Sequence, residues 1–192
     1  MTLARLTPAF ALMAASLLAM PTARADAPPP KAALCAACHG RNGVPANPSI
    51  PVIAGQNEGY LYVELRDYKL GNRKNAAMNA VAATLDKPTM QALAAWFAAQ
   101  PWPELEQPRA PADVAHRAEV IAGSAACKGC HLDHWQGNSV TPRLGDQSLQ
   151  YLRDTMEQFR DGQRTNNPWM AALLKTYSNA DINALAEYLT GY

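Results

Sequence analysis

The four cysteines of this chain fall into two pairs, and each pair is followed at once by a histidine: Cys35-Ala-Ala-Cys38-His39 and Cys127-Lys-Gly-Cys130-His131. C-x-x-C-H is the attachment signature of c-type haem. Two thiols three positions apart reach the two vinyl groups on one porphyrin edge and form thioethers, and the adjacent histidine is swung under the iron. The competing readings explain less. Two disulfides would suit an exported chain but give no reason for a histidine after both pairs. A zinc ribbon also uses C-x-x-C pairs, yet 88 residues separate Cys38 from Cys127, far beyond ribbon spacing. A thioredoxin-like motif needs a βαβ context. This chain instead abounds in alanine and helix formers and is sparse in β-branched residues, which predicts an all-α fold. Two haem c groups, one per motif, are therefore the expected cofactors.

The motifs recur because the chain is an internal repeat. A shift of 92 residues maps Cys35, Cys38, His39, Met78 and Leu93 onto Cys127, Cys130, His131, Met170 and Leu185. Between them a shift of 91 maps Pro51, Gln56, Tyr60, Leu61, Gly71 and Arg73 onto Pro142, Gln147, Tyr151, Leu152, Gly162 and Arg164. A one-residue deletion after the second haem motif and a one-residue insertion before Met170 reconcile the two. The boundaries expected are a first domain over 26–100, a linker over 101–112 and a second domain over 113–192. Pro101, Pro103, Pro108 and Pro111 exclude a continuous helix and predict an extended, stiff connector between nearly independent halves. Matching apolar stripes, Tyr60-Leu61-Leu65-Tyr68 and Tyr151-Leu152-Met156-Phe159, predict one helix each. A closing helix is expected after Asp86, and another after Ser178, an N-cap with Asp181 three residues on. Asp113 to Ala126 reads as a full helix, whereas Pro28 to Pro30 leave the first half only a short turn from Lys31.

Residues 1–25 read as a leader rather than as part of the fold. Arg5 supplies a positive n-region, Ala9 to Met20 an apolar stretch ended by Pro21, and Ala23-Arg24-Ala25 a small-x-small cleavage site. The expected location is the periplasm. The whole chain has 17 basic and 16 acidic side chains, and the leader removes two of the basic ones, Arg5 and Arg24. Neither half has the basic excess of a nucleic-acid binder, so that class is dropped.

Each iron needs a partner opposite its histidine. Met78 lies 39 residues after His39, and Met170 lies 39 residues after His131. Met90 aligns with Ile182 and Met156 with Leu65, so neither recurs, and both sit on helix stripes where methionine fills core. Met78 and Met170 sit in polar, irregular stretches where a core role is harder to motivate. The expected axial sets are His39/Met78 and His131/Met170, with His116 and His134 as surface residues. A saturated His/Met iron has no open position for a substrate, so the expectation is one-electron transfer, not catalysis.

On these residues the sequence resembles the cytochrome c4 family of dihaem cytochromes. The likeness spans roughly 31–192 and rests on Cys-Ala-Ala-Cys-His-Gly, Pro51-x-Ile-Ala-Gly-Gln56, Tyr60-Leu61 and Gly71-x-Arg73 before Met78, with the parallel set in the second half. The resemblance implies two tandem cytochrome c-like domains, each wrapped around one covalently attached haem and related by a pseudo-twofold with propionates near the interface. It also implies that the carbonyls of Pro51 and Pro142 orient the axial histidines. Tyr60, Tyr151, Arg73 and Arg164 would contact propionates, with packing or a solvated charge as the alternative for each. The implied partners are redox proteins: a terminal oxidase or reductase, a dehydrogenase, or other cytochromes, through which the chain would associate loosely with the inner membrane. A dihaem subunit of a dehydrogenase, such as a sulfide-oxidising flavocytochrome, is the alternative role, and a dihaem peroxidase is disfavoured by two equally placed methionines. Asp146 stands where glycine is usual, which predicts an altered environment for one haem.

Overall fold

The computed structural model describes residues 27–192, so the expected leader lies outside the described residues. Those residues form nine helices and no strand beyond an isolated bridge between Asn138 and Thr141. The first half holds α1 (Ala32–His39), α2 (Glu58–Leu70), α3 (Ala76–Ala83) and α4 (Lys87–Ala98). The second holds α5 (Ala112–Ser124), α6 (Lys128–His131), α7 (Leu149–Arg160), α8 (Pro168–Leu174) and α9 (Asn179–Leu189). Among the described residues no helix is long and apolar enough to cross a membrane.

Local chemistry sets the helix starts. Asp86 accepts from Thr89 N at 2.9 Å and begins α4, and Ser178 with Asp181 closes a reciprocal capping box at α9. The caps aim apolar faces inward. Met90, Leu93, Ala94 and Phe97 of α4 join Leu61 and Leu85 in one core, and Leu185, Ala186 and Leu189 of α9 join Ala118, Ile121, Ala122 and Leu152 in the other. Each half therefore has its own small core, with α2 packed on α3 and α4, and α9 packed on α5 and α7. The halves differ at their starts: α1 has 8 residues and already contains the first C-x-x-C-H, whereas α5 runs for 13 residues along α9 before the chain breaks and resumes as α6.

The connector does not leave the halves loose. Residues 101–111 form no regular element, as their prolines require, but lie strapped to the second half. Asp146 accepts from Leu105 N at 2.9 Å and from Gln107 Nε2 at 3.1 Å. Gln107 in turn accepts from Leu149 N at 2.9 Å, and the Arg143 guanidinium lies over the Trp102 ring at 4.5 Å. Asp146 thus serves the connector. Its counterpart Gly55 shares its left-handed conformation, with φ +62 against +53. A Cβ at Gly55 would come within 2.8 Å of Trp102 N, so the first half needs glycine there while the second uses a side chain.

Across the interface the two halves complete each other's hydrogen bonding. The Gln56 amide donates to Arg143 O at 3.0 Å and accepts from Arg143 N at 2.7 Å. The Gln147 amide donates to Val52 O and accepts from Val52 N, both at 2.9 Å. The shift that maps Gln56 onto Gln147 also maps Val52 onto Arg143, so the pairing is reciprocal, as a pseudo-twofold requires. The N-caps of α2 and α7 are drawn into the same surface. Asn57 and Ser148 make no side-chain cap bond in their own helices. Asn57 Nδ2 donates instead to Gln136 O and Thr141 O, and Ser148 Oγ to Pro48 O, all in the opposite half. Ser139 O accepts from Tyr60 N at 3.0 Å, satisfying a first-turn amide of α2 that its own helix leaves open.

Gln147→Ala removes the partners of both the N–H and the C=O of buried Val52, and an unpaired buried group costs about 1–3 kcal/mol. The substitution is expected to lower unfolding free energy by roughly 2–4 kcal/mol in a urea titration of the holoprotein. A loss no larger than that of an exposed glutamine would contradict this account of the interface.

Candidate functional site

Each haem motif is folded so that its thiols and imidazole present together. In α1 the three-residue spacing puts Cys35 and Cys38 on one helical face, with His39 as the last residue. In the second half Cys127 caps α6, Cys130 lies inside it and His131 ends it, with Ala126 at φ +51 making the break from α5. No disulfide joins the four cysteines; Cys35 and Cys127 are half-buried, and burial pushes both thiols above the usual range. Among the described residues no group of three or more His, Cys, Asp or Glu side chains is placed to hold a metal ion.

The chain turns sharply after each histidine. Gly40 has φ +75, and a Cβ there would lie 2.1 Å from Val44 O. Leu132 takes the same place after His131 at φ +64, a conformation that L side chains rarely adopt. The turns return the chain so that Pro51 O lies 3.0 Å from His39 Nδ1, and Pro142 O lies 3.0 Å from His131 Nδ1. A carbonyl can only accept, so Nδ1 carries the proton and the lone pair stays on Nε2. Burial pushes both histidines below the usual imidazole value, with the proline carbonyls working the other way, which favours the neutral ring. A neutral imidazole held through Nδ1–H, beside two thiols on the same turn, fits haem c, and it fits in both halves.

Met78 and Met170 are not in irregular chain. They stand in the first turns of α3 and α8, where the caps Asn75 and Asn167 accept their amides at 3.1 and 3.2 Å. The polar stretches read from the sequence are the capping segments of these two short helices, and both methionines are half-buried. Met90 is core at 4% exposure, Met156 packs against the second core, and His116 and His134 are exposed.

Tyr60, Tyr151, Arg73 and Arg164 meet in one cluster at the interface. Arg73 Nη2 donates to Tyr151 OH at 3.1 Å, and Arg164 Nη2 to Tyr60 OH at 3.4 Å, so each arginine reaches the other half's tyrosine. Between them stands Glu64, a residue that the sequence reading missed: its two oxygens accept from Arg73 at 2.7 Å and Arg164 at 2.5 Å. The signal was its position between Leu61 and Tyr68 on the apolar stripe of α2, where a carboxylate requires a partner. Burial raises and the two arginines lower the Tyr151 phenol, leaving it at about 8. Tyr60 goes the other way, pushed up by burial and by Glu64. Burial opposes the charge on Arg73, but Tyr151, Tyr60 and Glu64 outweigh it and hold the guanidinium above its ordinary range.

No family model matches the chain. It is 35% identical over 179 residues to cytochrome c4 of Azotobacter vinelandii, an alignment covering 84% of this chain and 85% of that one. The crystal structure of reduced recombinant cytochrome c4 from Pseudomonas stutzeri superposes with a TM-score of 0.76 at 32% identity, over 84% of this chain and 94% of that one. The chain belongs to the cytochrome c4 family. It is accordingly an all-α dihaem cytochrome that carries two haem c groups and transfers electrons. A protein named thiosulfate dehydrogenase electron acceptor, from Stutzerimonas stutzeri, is 31% identical over 83% of this chain and 79% of its own length.

Attachment of the two haems through Cys35, Cys38, Cys127 and Cys130 would leave the polypeptide no thiol. Intact mass under denaturing conditions is expected to show two haems retained per chain, and a thiol assay to find no free cysteine. Four titratable thiols on the purified protein would contradict haem attachment at these motifs.

Proposed function

We propose that this cytochrome c4 family member is a periplasmic carrier that shuttles single electrons between respiratory donors and a terminal oxidase or reductase. In this reading residues 1–25 are a cleaved export leader, 26–100 and 113–192 are the two monohaem domains, and 101–112 is the linker. Cys35 and Cys38 attach one haem and Cys127 and Cys130 the other, and the axial pairs are His39/Met78 and His131/Met170. The observation that carries the reading is the duplicated geometry. In each half a histidine is fixed through Nδ1 by a proline carbonyl, and 39 residues later a half-buried methionine has its amide pinned by an asparagine cap.

Bound haem supplies a reversible one-electron couple whose potential a thioether ligand raises by favouring Fe(II). The protein's part is to keep its own atoms still. The Pro51 and Pro142 carbonyls hold imidazole orientation, and the short capped helices hold each methionine at a fixed approach. Tyr60, Tyr151, Arg73 and Arg164 meet where the halves touch and are assigned to the propionate surroundings. With both axial positions filled by the protein no site remains for a substrate, so the chain acts as a carrier and not as an enzyme. Its partners are other redox proteins, and contact with the inner membrane runs through them.

A second reading is favoured by the likeness to the thiosulfate dehydrogenase electron acceptor: a carrier dedicated to one dehydrogenase. The two differ in breadth, since a dedicated acceptor is reduced rapidly by one dehydrogenase and slowly by respiratory donors in stopped-flow mixing.

Replacing Met78 or Met170 by alanine tests the ligand assignment. Each variant is expected to open one iron to carbon monoxide and to lower that haem's potential, leaving the other haem nearly unchanged. Histidine at the same position is expected to restore six coordination with a potential still below wild type, because imidazole favours Fe(III) more than a thioether does. Wild-type protein that already bound carbon monoxide rapidly, or a Met78→Ala variant with an unaltered spectrum, would sink the assignment.

A further inference from the structure

The charged cluster between the halves is symmetric in its cations and asymmetric in its anions. Arg73 and Arg164 are related by the duplication, as are Tyr60 and Tyr151. One carboxylate serves both arginines, through Oε2 to Arg73 Nη1 at 2.7 Å and through Oε1 to Arg164 Nη2 at 2.5 Å. A group bound alike by two symmetry-related partners lies close to the axis that relates them. The same 91-residue shift places Thr155 where the first half has Glu64, and Gln158 where it has Asp67. Both anions thus come from α2 alone. Asn166, from the stretch that holds the second half's extra residue, donates to both Glu64 oxygens at 3.3 Å and to Asp67 Oδ2 at 3.0 Å. Asp67 is also engaged by Arg66 at 3.0 Å. The cluster is well shielded: Glu64, Arg73 and Arg164 are 8%, 7% and 5% exposed.

We propose that Glu64 is a shared counter-ion: it positions Arg73 and Arg164 and sets the potentials of both haem irons together, because one carboxylate is bound by both of the arginines that the duplication relates. In one respect this rests on the proposed function, namely that His39 and His131 hold the two irons at equivalent places. A buried anion is screened little and stabilises Fe(III) over Fe(II) at any iron within reach. On the pseudo-axis it acts on both irons alike. An anion off that axis would instead favour one of them. Without Glu64 the two guanidinium groups would lie close together across the interface, and both haems would feel an added positive charge.

The test is Glu64→Gln in full-length holoprotein, with the two midpoint potentials read by spectroelectrochemical titration. Both potentials are expected to rise by comparable amounts, while the low-spin spectrum stays that of the wild type. A merely structural role would not move two potentials in step. Moving the carboxylate across the axis, in the double variant Glu64→Thr/Thr155→Glu, is expected to return both towards wild type. A rise confined to one haem, no change in either, or two potentials still raised in the double variant would overturn the proposal. Failure of the ligand reading is seen separately, in the wild-type spectrum and its response to carbon monoxide.

Discussion

Two side-chain amides hold this molecule in register. Gln56 and Gln147 each pair with both the N–H and the C=O of one residue in the opposite half, from sites 3% and 2% exposed. A buried peptide that loses such a partner has no water to replace it, so the two amides fix relative position more tightly than apolar contact does. Everything else across the boundary follows from that placement. The N-caps Asn57 and Ser148 reach across, α2 receives Ser139 O at its first turn, and each arginine reaches the other half's tyrosine. A half of about 80 residues has a marginal core, and sharing buried polar groups makes two such halves one structure.

Duplication supplies two copies of each residue, and the two have since been put to different uses. Gly55 yields to the connector backbone, while Asp146 at the same place accepts two hydrogen bonds from it. Gly40 makes the turn after the first histidine without strain, and Leu132 makes the second at φ +64. A short α1 opens the first half, against α5 lying along α9 in the second. Glu64 and Asp67 correspond to Thr155 and Gln158 in the second copy. What stays symmetric is the histidine with its proline carbonyl, the asparagine-capped methionine, and the glutamine pairing. On the proposed assignment the first two of these hold the iron ligands of the two haems. The asymmetries fall in the connector, the outer helices, the turn after each histidine and the charge at the interface.

The helices, the repeat and the placement of the motifs were legible because each rests on short-range chemistry: a cap, an apolar stripe, a C-x-x-C-H. The capping box at Ser178 and the Asp86 cap are written in three or four neighbouring residues. Asn75 and Asn167 are equally local, yet the polar residues beside Met78 and Met170 read as loop, since α3 and α8 are too short to show a period. The interface was not legible. Gln56 and Gln147 stood out as a repeated motif, but nothing in one half's sequence says that its glutamine pairs with the other half's backbone. The prolines of 101–111 were rightly read as excluding helix; that the connector is bonded along the second half depends on Asp146 and Gln107, which become neighbours only in the fold. Glu64 lay in plain view on an apolar stripe and needed only the question of what a buried carboxylate pairs with.

These constraints bear on electron transfer through reorganisation. A redox site works fast when the atoms around it stand in nearly the same place in both oxidation states. On the proposed ligand assignment the imidazoles are held from behind by backbone carbonyls and the methionines by capped helix starts, and the halves are joined by buried amides. The interfacial charges obey the same logic. Arg73, Arg164 and Glu64 are already oriented by one another and by Tyr60, Tyr151 and Asn166, so their field is fixed before an electron arrives. Water would have to reorient around each new charge, whereas these groups are already hydrogen-bonded to one another. A rigid polar seam between two small cores is therefore a better setting for paired redox centres than an apolar one, which would hold the halves together without defining the field between them.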